Sequence, residues 1–320
     1  MKAARVQPGP ALVAPGVLVV LLLALLTAGG TLASAGPPAA GAPDGGPAAR
    51  GAAAHTRAAT AGRILFVRSG SLWSCRPDGG GQTRLAKCGD GAVAAAWSPD
   101  RRSIVFSRYD AKYRATLWRM DADGGGQRKL SYSGPSLTQD CGGLAWSPDG
   151  DLLAGGNFNG SSGHVALLDL RTMTSRNLFT LRPSPNGIET LSWSPDQAQL
   201  LVAQEGGDSS WLVRIDASSG ALLQNYDGKQ RGIGSASYSP RGDRIAYSYG
   251  DLSTGRHGIR IAKVDGTPVR SLSHGPQWDP WWSSDGKRIA FTGEQGVFVI
   301  GVDGKGKRQI VKGGWAVAWR

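Results

Sequence analysis

Ala96-Trp97-Ser98-Pro99-Asp100 decides how this chain is read, because the phrase is written again and again downstream. It returns as Trp146-Ser147-Pro148-Asp149-Gly150, Trp193-Ser194-Pro195-Asp196, Tyr238-Ser239-Pro240-Arg241-Gly242 and Trp282-Ser283-Ser284-Asp285-Gly286. Val317-Ala318-Trp319-Arg320 repeats only its opening. The aromatic positions 97, 146, 193, 238, 282 and 319 lie 49, 47, 45, 44 and 37 residues apart. Self-similarity at roughly 40–50 residues marks a repeat architecture, in which each unit buries its apolar faces against its neighbours.

Within one unit the pattern is that of short strands. Ala94 to Trp97 reads as a first strand, and Ser98-Pro99-Asp100 as a turn in which proline presets φ while Ser and Asp bond nearby amides. Ile104-Val105-Phe106-Ser107 makes a second strand and Thr116-Leu117-Trp118-Arg119-Met120 a third. Gln127-Arg128-Lys129-Leu130 is a polar fourth whose charges suit a sheet edge. The turn between third and fourth strands also recurs, as Asp78-Gly79-Gly80, Asp123-Gly124-Gly125, Asp216-Ala217-Ser218, Asp265-Gly266-Thr267 and Asp303-Gly304-Lys305. It is looser around Asp169-Leu170-Arg171. No window sustains a helical period, so the class is all-β.

Counting units sets the topology. Ile64–Val67, Ser71–Cys75 and Thr83–Leu85 supply the second, third and fourth strands of a unit without a first strand. Trp315–Trp319 is a first strand with nothing after it. Joining them gives six complete four-stranded blades, a six-bladed β-propeller whose first blade is closed by the C-terminal strand.

The remainder of the chain is plainer. Lys2 and Arg5 precede an aliphatic run from Val17 to Leu26, and Ala33-Ser34-Ala35 offers a small-residue cleavage site. We expect residues 1–35 to be a signal peptide and the protein to be secreted or extracytoplasmic, with no membrane span once the signal is removed. Retention of the apolar run as an anchor is the alternative. Residues 36–61, rich in Ala, Gly and Pro, read as a spacer without a fixed fold, and 62–320 as the propeller. The net charge of +12 favours anionic partners such as wall polymers, although dispersed basic residues also serve to solvate a surface.

The phrases Trp146-Ser147-Pro148-Asp149-Gly150 and Leu117-Trp118-Arg119-Met120-Asp121-Ala122-Asp123-Gly124 resemble the repeats of TolB-type six-bladed propellers, over residues 62–320. The resemblance implies a secreted interaction module. Two departures are expected to limit it: residues 36–61 are too few and too plain for the small α/β domain of that family, and a hydrolase domain of the prolyl-oligopeptidase type is not expected. Function has to be argued from the site.

Catalytic signatures are scarce. The four histidines, His55, His164, His257 and His274, show no metal-ligand spacing, and there is no Cys-x-x-Cys, nucleophile elbow or phosphate-binding glycine loop. No metal or cofactor is expected, nor a nucleic-acid partner, and a monomer is expected. The recurring aspartates and tryptophans read as turn and core residues. The exceptions to the repeat are more telling: Trp278, Trp281 and Trp315 stand where most units carry smaller residues, on adjacent blades. They either fill space where the ring closes or form an aromatic shelf at the channel mouth, with Gln277, Asp279 and His274 nearby. The leading expectation is a binding or scaffolding module for an envelope protein or wall glycan, without catalysis. The alternative is a propeller enzyme, a polysaccharide lyase or hydrolase, with Asp140, Glu189, Arg231, Asp279 and His274 converging on the channel. Cys88 and Cys141 precede first strands of adjacent blades and are expected to form a disulfide, leaving Cys75 as a buried thiol.

Overall fold

The structure is a computed structural model that describes residues 62–320 except 90–92, 113, 139–142, 159–161, 184–186, 205–210, 227–232 and 252–255. The expected signal peptide and spacer, and Asp140, Cys141 and Arg231, lie outside the described residues. Those residues form 24 strands and no helix. β1 (Ile64–Arg68), β2 (Ser71–Cys75) and β3 (Thr83–Lys87) belong to blade 1. Blade 2 holds β4 (Ala95–Trp97), β5 (Ser103–Tyr109), β6 (Ala115–Asp121) and β7 (Arg128–Lys129). Blade 3 holds β8 (Leu144–Trp146), β9 (Leu152–Phe158), β10 (Ser162–Asp169) and β11 (Thr174–Pro183). In blade 4 are β12 (Ile188–Trp193), β13 (Gln199–Gln204), β14 (Trp211–Asp216) and β15 (Leu222–Asn225). In blade 5 are β16 (Ile233–Tyr238), β17 (Arg244–Asp251), β18 (Arg256–Lys263) and β19 (Pro268–His274). In blade 6 are β20 (Gln277–Trp282), β21 (Arg288–Gly293), β22 (Gly296–Gly301) and β23 (Arg308–Lys312), and the last strand is β24 (Trp315–Trp319).

The strands pair antiparallel as six four-stranded sheets, and β24 leads the sheet β24-β1-β2-β3. The first strands touch one another in a closed circuit, β24 to β4, β8, β12, β16, β20 and back to β24. Closure therefore places them around a central channel and leaves no large unpaired edge.

Second strands such as Ile64-Leu65-Phe66-Val67 are continuously apolar because both faces of a blade are covered. Leu65 and Val67 pack with Trp97, Ile104 and Phe106 of blade 2. Ile64 and Phe66 point the other way, to Ala290, Val299 and Ile310 of blade 6. The repeat aromatics Trp97, Trp146, Trp193, Tyr238, Trp282 and Trp319 are all buried.

The repeated turn is held as its residues require. Ser98 Oγ accepts from Ser103 N at 2.9 Å and donates to Asp100 Oδ1 at 2.6 Å, while Asp100 Oδ1 accepts from Arg102 N at 3.0 Å. The same bonds recur around Ser147, Ser194 and Ser283. In blade 5, where Arg241 replaces the aspartate, Asp243 takes its place and accepts from Ser239 Oγ at 3.0 Å. The residue after the aspartate position is left-handed in all five turns, with φ of 62° at Arg101, 90° at Gly150, 64° at Gln197, 73° at Gly242 and 66° at Gly286. Three turns have the glycine this needs and two do not.

Two local expectations change. The fourth strand of blade 2 is only Arg128–Lys129. Gln127 leaves the ladder, and its amide donates to the carbonyls of Leu85 and Gly124 at 2.9 Å each, tying blade 2 to blade 1. His274, expected in a loop, is the last residue of β19.

The basic excess has a structural use. Arg68 lies 4.5 Å from the ring centroid of Trp73, Arg108 4.1 Å from Trp118 and Arg260 3.6 Å from Tyr249. Arg119 and Arg288 lie 5.4 Å from Trp146 and Trp319, and Lys307 covers Phe291 and Phe298. Such cations are attracted to the ring faces while their stems cover apolar surface.

Candidate functional site at the channel

The candidate site follows from irregularities in the inner strands. In β20, Trp278 pairs with Thr292 and Trp281 with Ala290, so three steps on one strand face two on the other. In β12, Ile188 pairs with Gln204 and Thr190 with Ala203, which leaves Glu189 as the extra residue. Such β-bulges bend the strand and re-aim a side chain. The two bulges carry Asp279 and Glu189, and both residues line one cavity of about 290 Å³.

That cavity is lined by the first strands of blades 1, 2, 3, 4 and 6 and the residues leading into them. Val93, Ala95, Leu144, Ile188, Leu191 and Val317 make an apolar wall, Trp281 and Trp315 add indoles, and Glu189 and Asp279 are its only charged residues among those described. Its volume lies at the lower end of small-molecule pockets, room for one side chain or one sugar ring.

Asp279 is unusual in three ways. Its φ is 53°, a left-handed conformation that aspartate tolerates better than most residues. Burial pushes its carboxyl up to about 6, against a partial opposing pull from the hydroxyls of Thr292 and Ser235. It also joins three strands: Thr292 Oγ1 donates to Asp279 Oδ2 at 3.0 Å and accepts from Ala316 N at 3.0 Å, and Asp279 N donates to Ser235 Oγ at 2.6 Å. The site is thus tied to the closing strand.

The expected residues divide. Asp279, Glu189, Trp281 and Trp315 are brought to the one cavity. Trp278 is 42% exposed and is not on its wall. Gln277 is buried, its amide donating to the His274 carbonyl at 2.9 Å and accepting from Ser273 Oγ. His274 is exposed. Sequence reasoning missed the apolar wall, whose Ala95 and Val317 belong to the ordinary repeat and carry no signal of their own.

Among the described residues no group of three or more His, Cys, Asp and Glu side chains could hold a metal. Cys75 and Cys88 are both buried free thiols whose pKa burial raises to about 11. Cys141, the expected partner of Cys88, lies outside the described residues.

The six closed four-stranded blades are those of a TolB-like β-propeller. Among solved structures, the chain is similar to TolB from Acinetobacter baumannii, with a TM-score of 0.67 and 18% identity over 81% of this chain and 66% of that one. It therefore spans just under two thirds of that relative. It is also similar to a putative TolB from Agrobacterium tumefaciens, with a TM-score of 0.60 and 19% identity over 80% of this chain and 90% of that one. Hydrazine synthase from Kuenenia stuttgartiensis shares the fold at a TM-score of 0.52 and 16% identity, covering 79% and 80%. No protein-family profile and no curated protein matches the sequence. At these identities the likeness is one of fold, and the fold hosts unrelated functions.

Proposed function

We propose that the protein is an extracytoplasmic binding or scaffolding module that engages an envelope protein or a wall glycan at its central channel, without chemistry of its own. The observation that carries this reading is the cavity in which Trp281 and Trp315, both departures from the blade repeat, stand with Asp279 and Glu189. A concave, mostly apolar pocket with a few convergent polar groups is the usual form of a binding site. The likeness to TolB structures and the apolar N-terminal run support an extracytoplasmic location. The test is capture from envelope extracts, alongside a wall-glycan array, with the unaltered protein and a Trp281→Ala/Trp315→Ala variant that keeps a cooperative melting transition. Loss of capture in the variant is expected; undiminished capture refutes the reading. N-terminal sequencing of the mature protein should begin at Gly36, and a start at Met1 or Lys2 would refute cleavage.

One observation favours a second reading. Two carboxylates line one cavity, and burial raises the pKa of one to about 6; paired carboxylates with separated pKa values are the groups that glycoside hydrolysis uses. Release of reducing sugar from wall polysaccharide, abolished by Glu189→Gln, would establish it. No release above background would dismiss it.

A further inference from the structure

Some rings of this propeller are covered by the protein's own cations, as Trp73 is by Arg68, Trp118 by Arg108 and Tyr249 by Arg260, while others, such as Trp97, Trp193 and Trp282, are buried in the core without one among the described residues. Trp281 and Trp315 have no such cation among the described residues. Beside them on the same wall is Asp279, whose side chain accepts from Thr292 and is in none of the described ion pairs. In a chain of net charge +12, the charges described in this cavity are both negative. A low-dielectric cleft lined by one sign of charge concentrates the opposite sign.

Resting on the reading of the channel as a binding site, we propose that the cavity receives a single lysine or arginine side chain presented by a partner polypeptide. Its apolar stem would lie against the wall of Val93, Leu144 and Ile188, and its cationic head against the Trp281 and Trp315 indoles with its charge met by Asp279 and Glu189. Each part of such a side chain finds its complement: methylenes on aliphatic groups, a cation on ring faces, and a carboxylate as hydrogen-bond acceptor. A neutral sugar ring would use the indoles and leave the desolvated carboxylate of Asp279 without a counter-charge. The volume of about 290 Å³ admits one such side chain and excludes an extended oligosaccharide.

The cation binds the ionised carboxylate, so affinity should rise as Asp279 loses its proton between about pH 5 and pH 7. Around that carboxyl, β16 offers Ser235 and β21 offers Thr292, both neutral, and β12 adds Glu189 to the cavity as the other charged group described.

The test is calorimetric titration of the full protein with the blocked tripeptides Gly-Lys-Gly and Gly-Arg-Gly, their norleucine analogue and a neutral N-acetylated disaccharide. The expected result is that Lys or Arg peptides bind at least tenfold more tightly than the norleucine peptide at pH 7.5. Asp279→Asn should remove most of that preference while leaving the norleucine affinity unchanged. If that variant fails to fold, Glu189→Gln on a different blade provides the same reading. Equal affinity for Lys and norleucine peptides, or a preference untouched by the folded variants, overturns the proposal. Binding of the disaccharide alone also overturns it, while leaving the channel a binding site. If no probe binds and capture of the envelope partner ignores the tryptophan changes, the cavity reading itself fails with it.

Discussion

Replacing Asp279 by Asn should stabilise the propeller at neutral pH, and the gain should vanish in acid. The side chain is nearly isosteric, asparagine tolerates a φ of 53°, and its carbonyl can still accept from Thr292 Oγ1. The charge is lost, and one acceptor oxygen becomes an amide donor. In the folded protein the carboxyl titrates near 6, against roughly 3.9 for an aspartate in an unfolded chain. At roughly 1.4 kcal/mol per pH unit, keeping the carboxylate ionised at pH 7.5 costs the native state about 3 kcal/mol at most. Asp279 keeps part of its surface on the cavity, so about 2 kcal/mol is the working figure. The sign follows from proton counts. Below about pH 4 both states hold the proton and there is no penalty. Between pH 4 and 6 the unfolded chain loses it first, so wild-type stability falls relative to the variant, and above 6 the difference is constant. Urea unfolding of both proteins at pH 4.5, 6 and 7.5 measures that difference directly. Titration of the turn aspartates is shared by both proteins and cancels. A stability difference independent of pH over that range would refute the assignment of a raised carboxyl to Asp279.

The other expectations concern the frame. Arg101→Gly should stabilise by about 1 kcal/mol, or some 2–4 °C in a domain of this size, because a left-handed arginine gives way to a residue without that strain. Gly286→Ala should cost a similar amount, since a Cβ there meets only Pro240 Cδ at 3.8 Å and the penalty is conformational; thermal melts read both, and opposite signs would contradict the turn assignment. Thr292→Val leaves the Ala316 amide without its acceptor and should cost about 1–3 kcal/mol by urea unfolding. Deleting residues 314–320 removes the strand that closes blade 1, including buried Trp319, whose loss alone is worth roughly 3–5 kcal/mol, so the melting transition should collapse or disappear. Thiol counting of denatured, unreduced protein should find one thiol, that of Cys75, with Cys88 and Cys141 joined; three thiols would refute that pairing.

The frame was legible because every local choice is made several times over. Reading Trp193-Ser194-Pro195-Asp196 as a turn rests on the same serine and aspartate bonds that Ser98, Ser147 and Ser283 make. A single departure such as Arg241 cannot hide the pattern, and the neighbouring Asp243 supplies the missing carboxylate. The site was legible only in outline. Trp278, Trp281 and Trp315 all stood out because they break the repeat, yet only Trp281 and Trp315 reach the cavity, and of the residues grouped with them by nearness in sequence Asp279 does and Gln277 and His274 do not. A strand sends successive side chains to opposite faces, and the bulge in β20 shifts the alternation again. Alternation alone already sets Asp279 and Trp281 opposite Trp278; what residues 277–282 cannot show is the bulge between Trp278 and Trp281, because it depends on the pairing with β21.

The carboxylates of this chain do two kinds of work. Asp100, Asp149, Asp196 and Asp285 sit in repeated turns, and hydrogen bonds from serine hydroxyls and backbone amides hold them below the ordinary carboxylate range. They favour the fold above pH 4 and weaken it as pH falls. Asp279 is the opposite case. Its pKa is raised, its backbone is left-handed and its charge is desolvated, so it opposes folding at neutral pH. Closure of the ring does not explain it. The contact to Ala316 runs through the Thr292 hydroxyl, and an asparagine would keep that hydroxyl engaged without the charge. What an ionised Asp279 adds, and asparagine would not, is a negative charge on a cavity walled by two indoles that no arginine or lysine among the described residues covers.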